Sequence, residues 1–132
     1  MFKRIDHIEL LTGAPARAIE FYTGVLGFAL RSRDRVASTP HGPLDLAYLD
    51  LGGTTVELMS YPEAKPAERQ PGERLGYRMM ALEVEDMDAV LAFLKTKGIA
   101  PTWGPIRRPG YARAEIRDPD GNSIELRQWL KR

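Results

Sequence analysis

The stretch D-P-D-G-N-S-I-E-L, residues 118–126, sets the carboxylate of Glu125 between two aliphatic residues just after a turn. The stretch G-G-T-T-V-E-L, residues 52–58, places Glu57 between two aliphatic residues in the same way. Side chains alternate along a strand, so both carboxylates point away from the face that their aliphatic neighbours cover. The two stretches predict one strand-turn-strand unit that occurs twice.

The segments before the first carboxylate have the order strand, helix, three strands. Alternating residues predict the first strand, and apolar residues at helical spacing follow Thr12, a candidate cap, and Pro15, which suits a first helical turn. A G-G pair indicates that the last two strands form a hairpin. The predicted elements are a strand over 5–11, a helix over 15–26 and strands over 28–36, 44–51 and 54–59.

The same order returns in the second half of the chain. After a charged connector rich in proline and glycine, a strand leads into a helix that Asp86 can cap, and three further strands follow. Their segments are a strand over 79–84, a helix up to Gly98, the stretch I-A-P-T-W over 99–103, and strands over 111–117 and 122–127. We predict an α+β fold of two repeated βαβββ modules in a single domain: residues 1–61, connector 62–76 and residues 77–132.

Composition restricts the classes of function. The 132 residues, 43% of them hydrophobic, suffice for one core, and 19 basic against 18 acidic side chains leave a net charge of +1 without a basic patch. We expect neither nucleic acid nor membrane as a partner. The absence of cysteine and of a signal-like apolar N-terminus favours a reducing, cytoplasmic location.

Alternation also predicts which face carries the polar side chains. One helix per module covers one sheet face, and Val56 and Leu58 should point toward it. His7, Glu57 and Glu125 then lie on the opposite faces, which no helix covers. If the two sheets curl toward each other, these three ligand-type side chains converge in a cup. Glu9 shares their face, and we expect it to form a polar wall rather than to bind a metal.

Five motifs in order, D-H-I-E-L, F-Y-T-G-V-L-G-F, T-T-V-E-L, M-A-L-E-V-E-D-M-D and D-P-D-G-N-S-I-E-L, span nearly the whole chain. In this order and spacing they resemble the vicinal oxygen chelate superfamily, which includes glyoxalase I, extradiol dioxygenases and bleomycin resistance proteins. The resemblance, closest to the glyoxalase-I-like branch, implies open, curled mixed sheets around a divalent metal. Its ligand positions correspond to His7, Glu57, Met79 and Glu125.

This chain departs from the glyoxalase-like pattern at Met79, where a histidine or glutamine is usual and where a thioether is a weak ligand for hard or borderline ions. Three ligands remain: His7, Glu57 and Glu125. The resemblance implies a nickel, zinc, cobalt, manganese or magnesium ion and a lyase or isomerase, similar to lactoylglutathione lyase, that works through a metal-stabilised enediolate. Glu125 is the first candidate for the catalytic base and Glu57 the second.

Several further residues are candidates for substrate binding. Arginines near the P-G loop could hold an anionic group, and aromatic residues could line the entrance of the cup. The predicted substrate-binding set is Glu9, Met79, Trp103, Arg108, Tyr111 and Arg113, with Arg107 as a further arginine. His41 is expected to be an exposed loop residue, so the second imidazole of an extradiol dioxygenase iron site is missing.

Two other functions stay open on the sequence. The chain could be a non-catalytic binding protein of the bleomycin-resistance type, which needs no metal, or a relic that keeps only a dimer interface. The resemblance implies a homodimer. Whether one chain or two chains build each cup is also open.

Overall fold

The computed structural model describes residues 1–130. They form two compact units, Met1–Arg69 and a second that begins at Gln70, each with a strand, a helical segment and three strands. The predicted α+β fold of two βαβββ modules is confirmed. Within residues 1–130, no helix has the length and apolar character that a bilayer crossing requires.

The first unit contains β1 (Ile8–Leu11), α1 (Pro15–Glu20), a π-helical segment (Phe21–Val25), β2 (Ala29–Val36), β3 (Leu44–Leu51) and β4 (Thr54–Ser60). Its sheet has the order β1-β4-β3-β2, with β1 parallel to β4 and the other pairs antiparallel. Gly52 and Gly53 make the turn between β3 and β4, and both have positive φ, which glycine adopts without steric cost.

The second unit contains β5 (Met80–Glu83), α2 (Met87–Thr96), β6 (Trp103–Arg108), β7 (Tyr111–Arg117) and β8 (Ser123–Trp129). The order β5-β8-β7-β6, with β5 parallel to β8, repeats the first sheet. Each sheet is open and has two edge strands.

Both cores lie between a helix and the aliphatic face of its sheet. Val56 and Leu58 of β4 are buried, as are Ile124 and Leu126 at the matching positions of β8. The apolar residues that join them include Ala18, Tyr22 and Leu49 in the first unit and Met87, Leu94 and Ile116 in the second. The helices therefore cover the face opposite to Glu57 and Glu125, as strand alternation predicts.

Several predicted boundaries were wrong, and so was the predicted cap of α1. β1 begins at Ile8, where its parallel pairing with β4 begins at Val56, so residues 5–7 lie outside the paired region. The predicted helix 15–26 divides into α1 and the π-helical segment. Thr12 does not cap α1: its hydroxyl accepts the Ala14 N–H at 3.1 Å, and Ala14 holds the N-cap position.

The last two errors lie in the second unit. β5 is shorter than the predicted strand 79–84, since its parallel pairing with β8 runs only from Met80 to Glu83. β6 runs over Trp103–Arg108 rather than over 99–103, where Pro101 has no N–H to donate to a neighbouring strand.

The cap of α2 gives a test of the fold. Asp86 accepts the Ala89 N–H at 3.1 Å, as predicted, so Asp86→Ala should lower the free energy of unfolding by about 1 kcal/mol. Glu85→Ala, at the neighbouring exposed position, is the control and should change it by less than about 0.5 kcal/mol. Urea denaturation measures both. Equal losses in the two variants would contradict the cap.

Candidate metal site

Three ligand-type side chains of the first unit converge at β1 and β4. The parallel register sets Glu9 beside Glu57, and His7 lies two residues before Glu9. His7 Nε2 is 3.2 Å from Glu57 Oε2 and 3.4 Å from Glu9 Oε2. One ligand atom from each of the three residues lies within 4.8 Å of the others. The predicted pairing of His7 with Glu57 is therefore present, and Glu9 joins it.

The burial of the three side chains differs sharply. Glu57 is 6% exposed, although it carries a carboxylate, whereas the Glu9 side chain is 54% exposed. Burying an uncompensated carboxylate is costly, so a buried acid needs a cation or several hydrogen bonds nearby. His7, with 29% of its side chain exposed, is a neighbouring group that can supply the positive charge.

Asp6 fixes the orientation of the imidazole. The Nδ1 of His7 is 2.9 Å from Asp6 Oδ2, which leaves Nε2 facing the two glutamates. This hydrogen bond raises the pKa of His7, and the hydrogen bond to Glu9 and the negative charge of Glu57 act in the same direction against burial. A carboxylate that holds one imidazole nitrogen while the other faces the site is the usual arrangement around a metal-binding histidine.

Tyr48 of β3 closes the other side of Glu57. Register places Tyr48 opposite Glu57, and the Tyr48 ring meets the His7 ring edge-on with centroids 6.4 Å apart. The negative charge of Glu57 raises the pKa of Tyr48, with burial and a hydrogen bond to Glu57 acting in the same direction. The Tyr48 hydroxyl therefore stays protonated and donates to Glu57. The Arg31 guanidinium carbon lies 5.1 Å from the Tyr48 ring centroid.

The donor set fits a divalent ion. One neutral imidazole and two carboxylates balance two positive charges, and nitrogen with oxygen donors suits zinc, nickel, cobalt or manganese. Glu9 and Glu57 occupy paired positions of β1 and β4, and His7 comes directly before β1, so the backbone holds the three side chains close before any ion binds. His7 Nε2 must lose its proton to bind a metal, so proton release should accompany binding.

Glu125 lies in the second unit, at the position of β8 that matches Glu57 in β4. Its Oε1 is 3.0 Å from Arg113 Nε and 3.0 Å from Arg127 Nε. Arg113 also reaches Glu115 Oε2 at 3.1 Å. Two guanidinium groups thus compensate the charge of Glu125 within its own unit. Its predicted roles as metal ligand and base stay predictions.

The aromatic residues of the predicted substrate-binding set stack on these arginines. The Arg127 guanidinium carbon lies 4.5 Å from the Tyr111 ring centroid and 4.9 Å from that of Trp129. Arg113 lies 4.8 Å from the Trp103 centroid, and Trp103 is 43% exposed. The second unit therefore presents flat aromatic surface beside paired charges.

The remaining predicted residues lie at the ends of strands. Arg108 is the exposed last residue of β6, while its neighbour Arg107 pairs with Asp88. Met79 comes directly before β5, and its sulfur accepts a weak hydrogen bond from Arg78 at 3.7 Å. Substrate binding by these residues stays a prediction.

Comparison with known proteins agrees with the fold. A sequence profile described as the Glyoxalase/Bleomycin resistance protein/Dioxygenase superfamily matches residues 4–126. The chain belongs to this superfamily. A probable lactoylglutathione lyase of Vibrio cholerae is 30% identical over 127 residues, which cover 95% of this chain and 90% of that protein.

Solved structures of the superfamily extend this likeness to the fold. A glyoxalase family protein from Enterococcus faecalis superposes with a TM-score of 0.78 at 28% identity, covering 96% of this chain and 98% of that one. TnmS3, an antibiotic binding protein from Streptomyces sp. CB03234, superposes with a TM-score of 0.72 at 25% identity over 97% of each chain. The resemblance drawn from the five motifs is confirmed. The superfamily thus includes both lyases and binding proteins.

Sequence reasoning missed two members of the site, Asp6 and Tyr48. Glu9 was placed on the face of His7 by alternation and was expected to form a polar wall, and its carboxylate reaches His7. Tyr48 depends on the register between β3 and β4, which no single segment encodes.

The orientation of His7 by Asp6 can be tested on the metal-free protein. Asp6→Asn removes the strongest of the interactions that raise the pKa of His7, so that pKa should fall. A raised folded-state pKa stabilises the protein fully below the ordinary histidine pKa, and this stabilisation is lost as pH rises through the folded-state value. The variant should therefore lose stability on the acidic side. Two-dimensional NMR titration of the His7 ring measures the shift.

Glu63→Gln is the control, since it removes an exposed acid of the same unit that does not contribute to the pKa of His7. An unchanged His7 pKa in Asp6→Asn, or a fall of equal size in Glu63→Gln, would show that Asp6 does not act on the imidazole.

Proposed function

We propose that the chain is a divalent-metal-dependent lyase or isomerase of the glyoxalase type, acting on a small oxygenated substrate. The observation that supports this most is the convergence of His7, Glu9 and Glu57 within 4.8 Å. The 30% identity to a probable lactoylglutathione lyase points to the same reaction class. His7 and Glu57 would hold the ion, and Glu9 faces the same point from the exposed side.

The chemistry needs a cation and a base next to one carbon of the substrate. When bound, the ion would polarise two neighbouring substrate oxygens and lower the energy of the enediolate that forms when a proton leaves the adjacent carbon. Glu57 is the carboxylate that we assign to remove this proton and return it to the neighbouring carbon. The reaction moves one proton and one electron pair within the substrate, so it needs no oxidant or reductant.

The surroundings of Glu57 suit this role. Its burial keeps bulk water away from the carboxylate. The Tyr48 hydroxyl holds one side of the carboxylate in place, and Asp6 keeps the imidazole of His7 turned toward it. Glu125 stays the alternative base that the sequence predicts. A homodimer and a cytoplasmic location likewise stay predictions.

A binding protein is the second candidate function. The aromatic rings of Trp103, Tyr111 and Trp129, stacked with two arginines, offer the kind of surface on which flat ligands stack. The likeness to an antibiotic binding protein points in the same direction. Such a function would use the second unit without a metal.

Metal content tests the enzyme proposal. Protein purified without chelator should contain about one divalent ion per chain by elemental analysis, because the donor set balances its charge. His7→Ala and Glu57→Gln should weaken zinc binding by more than about 100-fold, the upper range for losing a residue that merely supports a ligand. Glu20→Gln, an exposed acid of α1, is the matched control and should bind as the wild type does.

Activity is then measured with the hemithioacetal of methylglyoxal and glutathione, followed by thioester formation. The wild type should convert it only with metal present, and Glu57→Gln should lower kcat by about 100-fold to 10,000-fold. Full metal binding in both variants would contradict the proposed ligands. A wild type without metal, yet folded, would exclude the enzyme.

If the chain is a binding protein, the affinity for its ligand should not depend on metal or on His7. A flat antibiotic-like ligand should bind equally well with and without a chelator, and Trp103→Ala should weaken that binding by about tenfold or more, as loss of a stacking aromatic does. His7→Ala should have no effect on it. Fluorescence quenching of the tryptophans measures the affinity, and a chelator-sensitive affinity would count against this function.

A further inference from the structure

An open hollow of about 660 Å³ lies in the first unit, near the end of β1. Its wall comes from the last residue of β1, the loop between β2 and β3, and the segment after β4. The residues that form it include Leu11, Pro40, His41, Tyr61, Glu63 and Ala64. A volume of this size lies within the range of small-molecule sites.

The hollow adjoins the candidate metal site along the same sheet face. Leu11 follows Glu9 by two residues on β1, so both side chains point to the face that α1 does not cover. Tyr61 follows the last residue of β4 and lines the hollow together with Leu11. At about 3.3 Å per residue, Leu11 lies about 7 Å along β1 from Glu9.

The chemistry of the hollow is apolar and aromatic. Leu11 is 51% exposed, so its side chain offers apolar surface to the hollow. The His41 and Tyr61 rings, which both line the hollow, meet edge-on with centroids 6.1 Å apart. Glu63 adds a negative charge, and no lysine or arginine lines the hollow. An anionic group is therefore disfavoured there.

The opposite end of the same sheet face is polar and charged. Thr55 donates to Asp50 at 2.7 Å, and Arg31 Nε lies 3.6 Å from the same carboxylate. A substrate lying along β4 thus meets charge at the Thr55 end, ligand groups at Glu57 and apolar rings at Tyr61. Because of this order, the apolar end of a substrate is the one that can occupy the hollow.

We propose that the hollow binds the aromatic tail of the substrate, so that the substrate class is a small 2-oxygenated carbonyl compound with an aryl side chain. The proposal rests on the proposed function, since the oxygens of that compound are the ones that reach His7 and Glu57. His41 and Tyr61 are specificity residues that contact the tail. They take no part in proton transfer.

Mandelate and lactate test the proposal, because they share the 2-hydroxy acid group and differ only in a phenyl or methyl substituent. Binding to the full chain is followed by NMR of the Leu11 methyl and Tyr61 ring signals, with zinc and with chelator. Mandelate should bind zinc-loaded wild type about tenfold or more tighter than lactate. Tyr61→Ala and His41→Ala should abolish this preference while lactate affinity stays unchanged.

Two further variants serve as controls. Tyr61→Phe retains the ring and should retain the preference, which separates loss of the wall from loss of the fold. Tyr77→Ala removes an exposed tyrosine of the second unit and should change nothing.

Three outcomes are distinguishable. Loss of the preference in the alanine variants supports the proposal. Bound zinc with equal affinities for the two acids, or a preference that survives Tyr61→Ala, overturns the tail site and leaves the proposed function standing. Failure to bind zinc while mandelate still shifts the Leu11 and Tyr61 signals overturns the proposed function and supports the hollow as an aromatic site.

Discussion

Parallel pairing of β1 with β4 is the constraint on which the candidate site depends, because it brings Glu9 beside Glu57. Neighbouring strands lie about 4.8 Å apart, so two carboxylates at paired positions repel unless a cation lies between them. Glu57 is buried, which makes the need for positive charge stronger. His7 supplies it in the metal-free protein, and a divalent ion would supply it more fully. The pairing of β1 with β4 thus brings two carboxylates together, and a cation bound there offsets their repulsion.

The two units supply positive charge to Glu57 and Glu125 in different ways. In the second unit, Ala81 stands beside Glu125 where Glu9 stands beside Glu57, and the neighbouring carboxylate is that of Glu115 on β7. Met79 replaces the histidine, and Arg113 with Arg127 provides the positive charge. Aromatic rings then cover these arginines. One repeated backbone therefore carries a metal-type donor set in one unit and a permanent guanidinium pair in the other.

Much of the fold could be predicted because it depends on local signals. Alternation around Val56 and Leu58, and again around Ile124 and Leu126, gives the buried face of each sheet, and repetition gives the module. The errors came where a partner decides the outcome. Residues 5–7 alternate like a strand, but the pairing with β4 begins only at Ile8, opposite Val56. A single segment does not show where its pairing with a neighbouring strand begins or ends.

The residues of the candidate site also divide into those that local alternation predicts and those that depend on a partner strand. His7 and Glu57 could be predicted, since alternation alone assigns them to the face without a helix. The contacts of Glu57 with Tyr48 and of Glu125 with Arg113 could not, because both depend on cross-strand register and on the rotamers of long side chains. His41 was expected to be an exposed loop residue, and the structure confirms this. Only the folded loop brings it against Tyr61 and makes it part of a wall.

The central claim is that His7, Glu9 and Glu57 surround the position of a divalent ion. Anomalous X-ray diffraction from crystals of the zinc-loaded protein tests it most directly. The account predicts an anomalous peak about 2.0–2.2 Å from His7 Nε2 and from a Glu57 carboxylate oxygen. A peak bound elsewhere, with His7 still in contact with both glutamates, would contradict it.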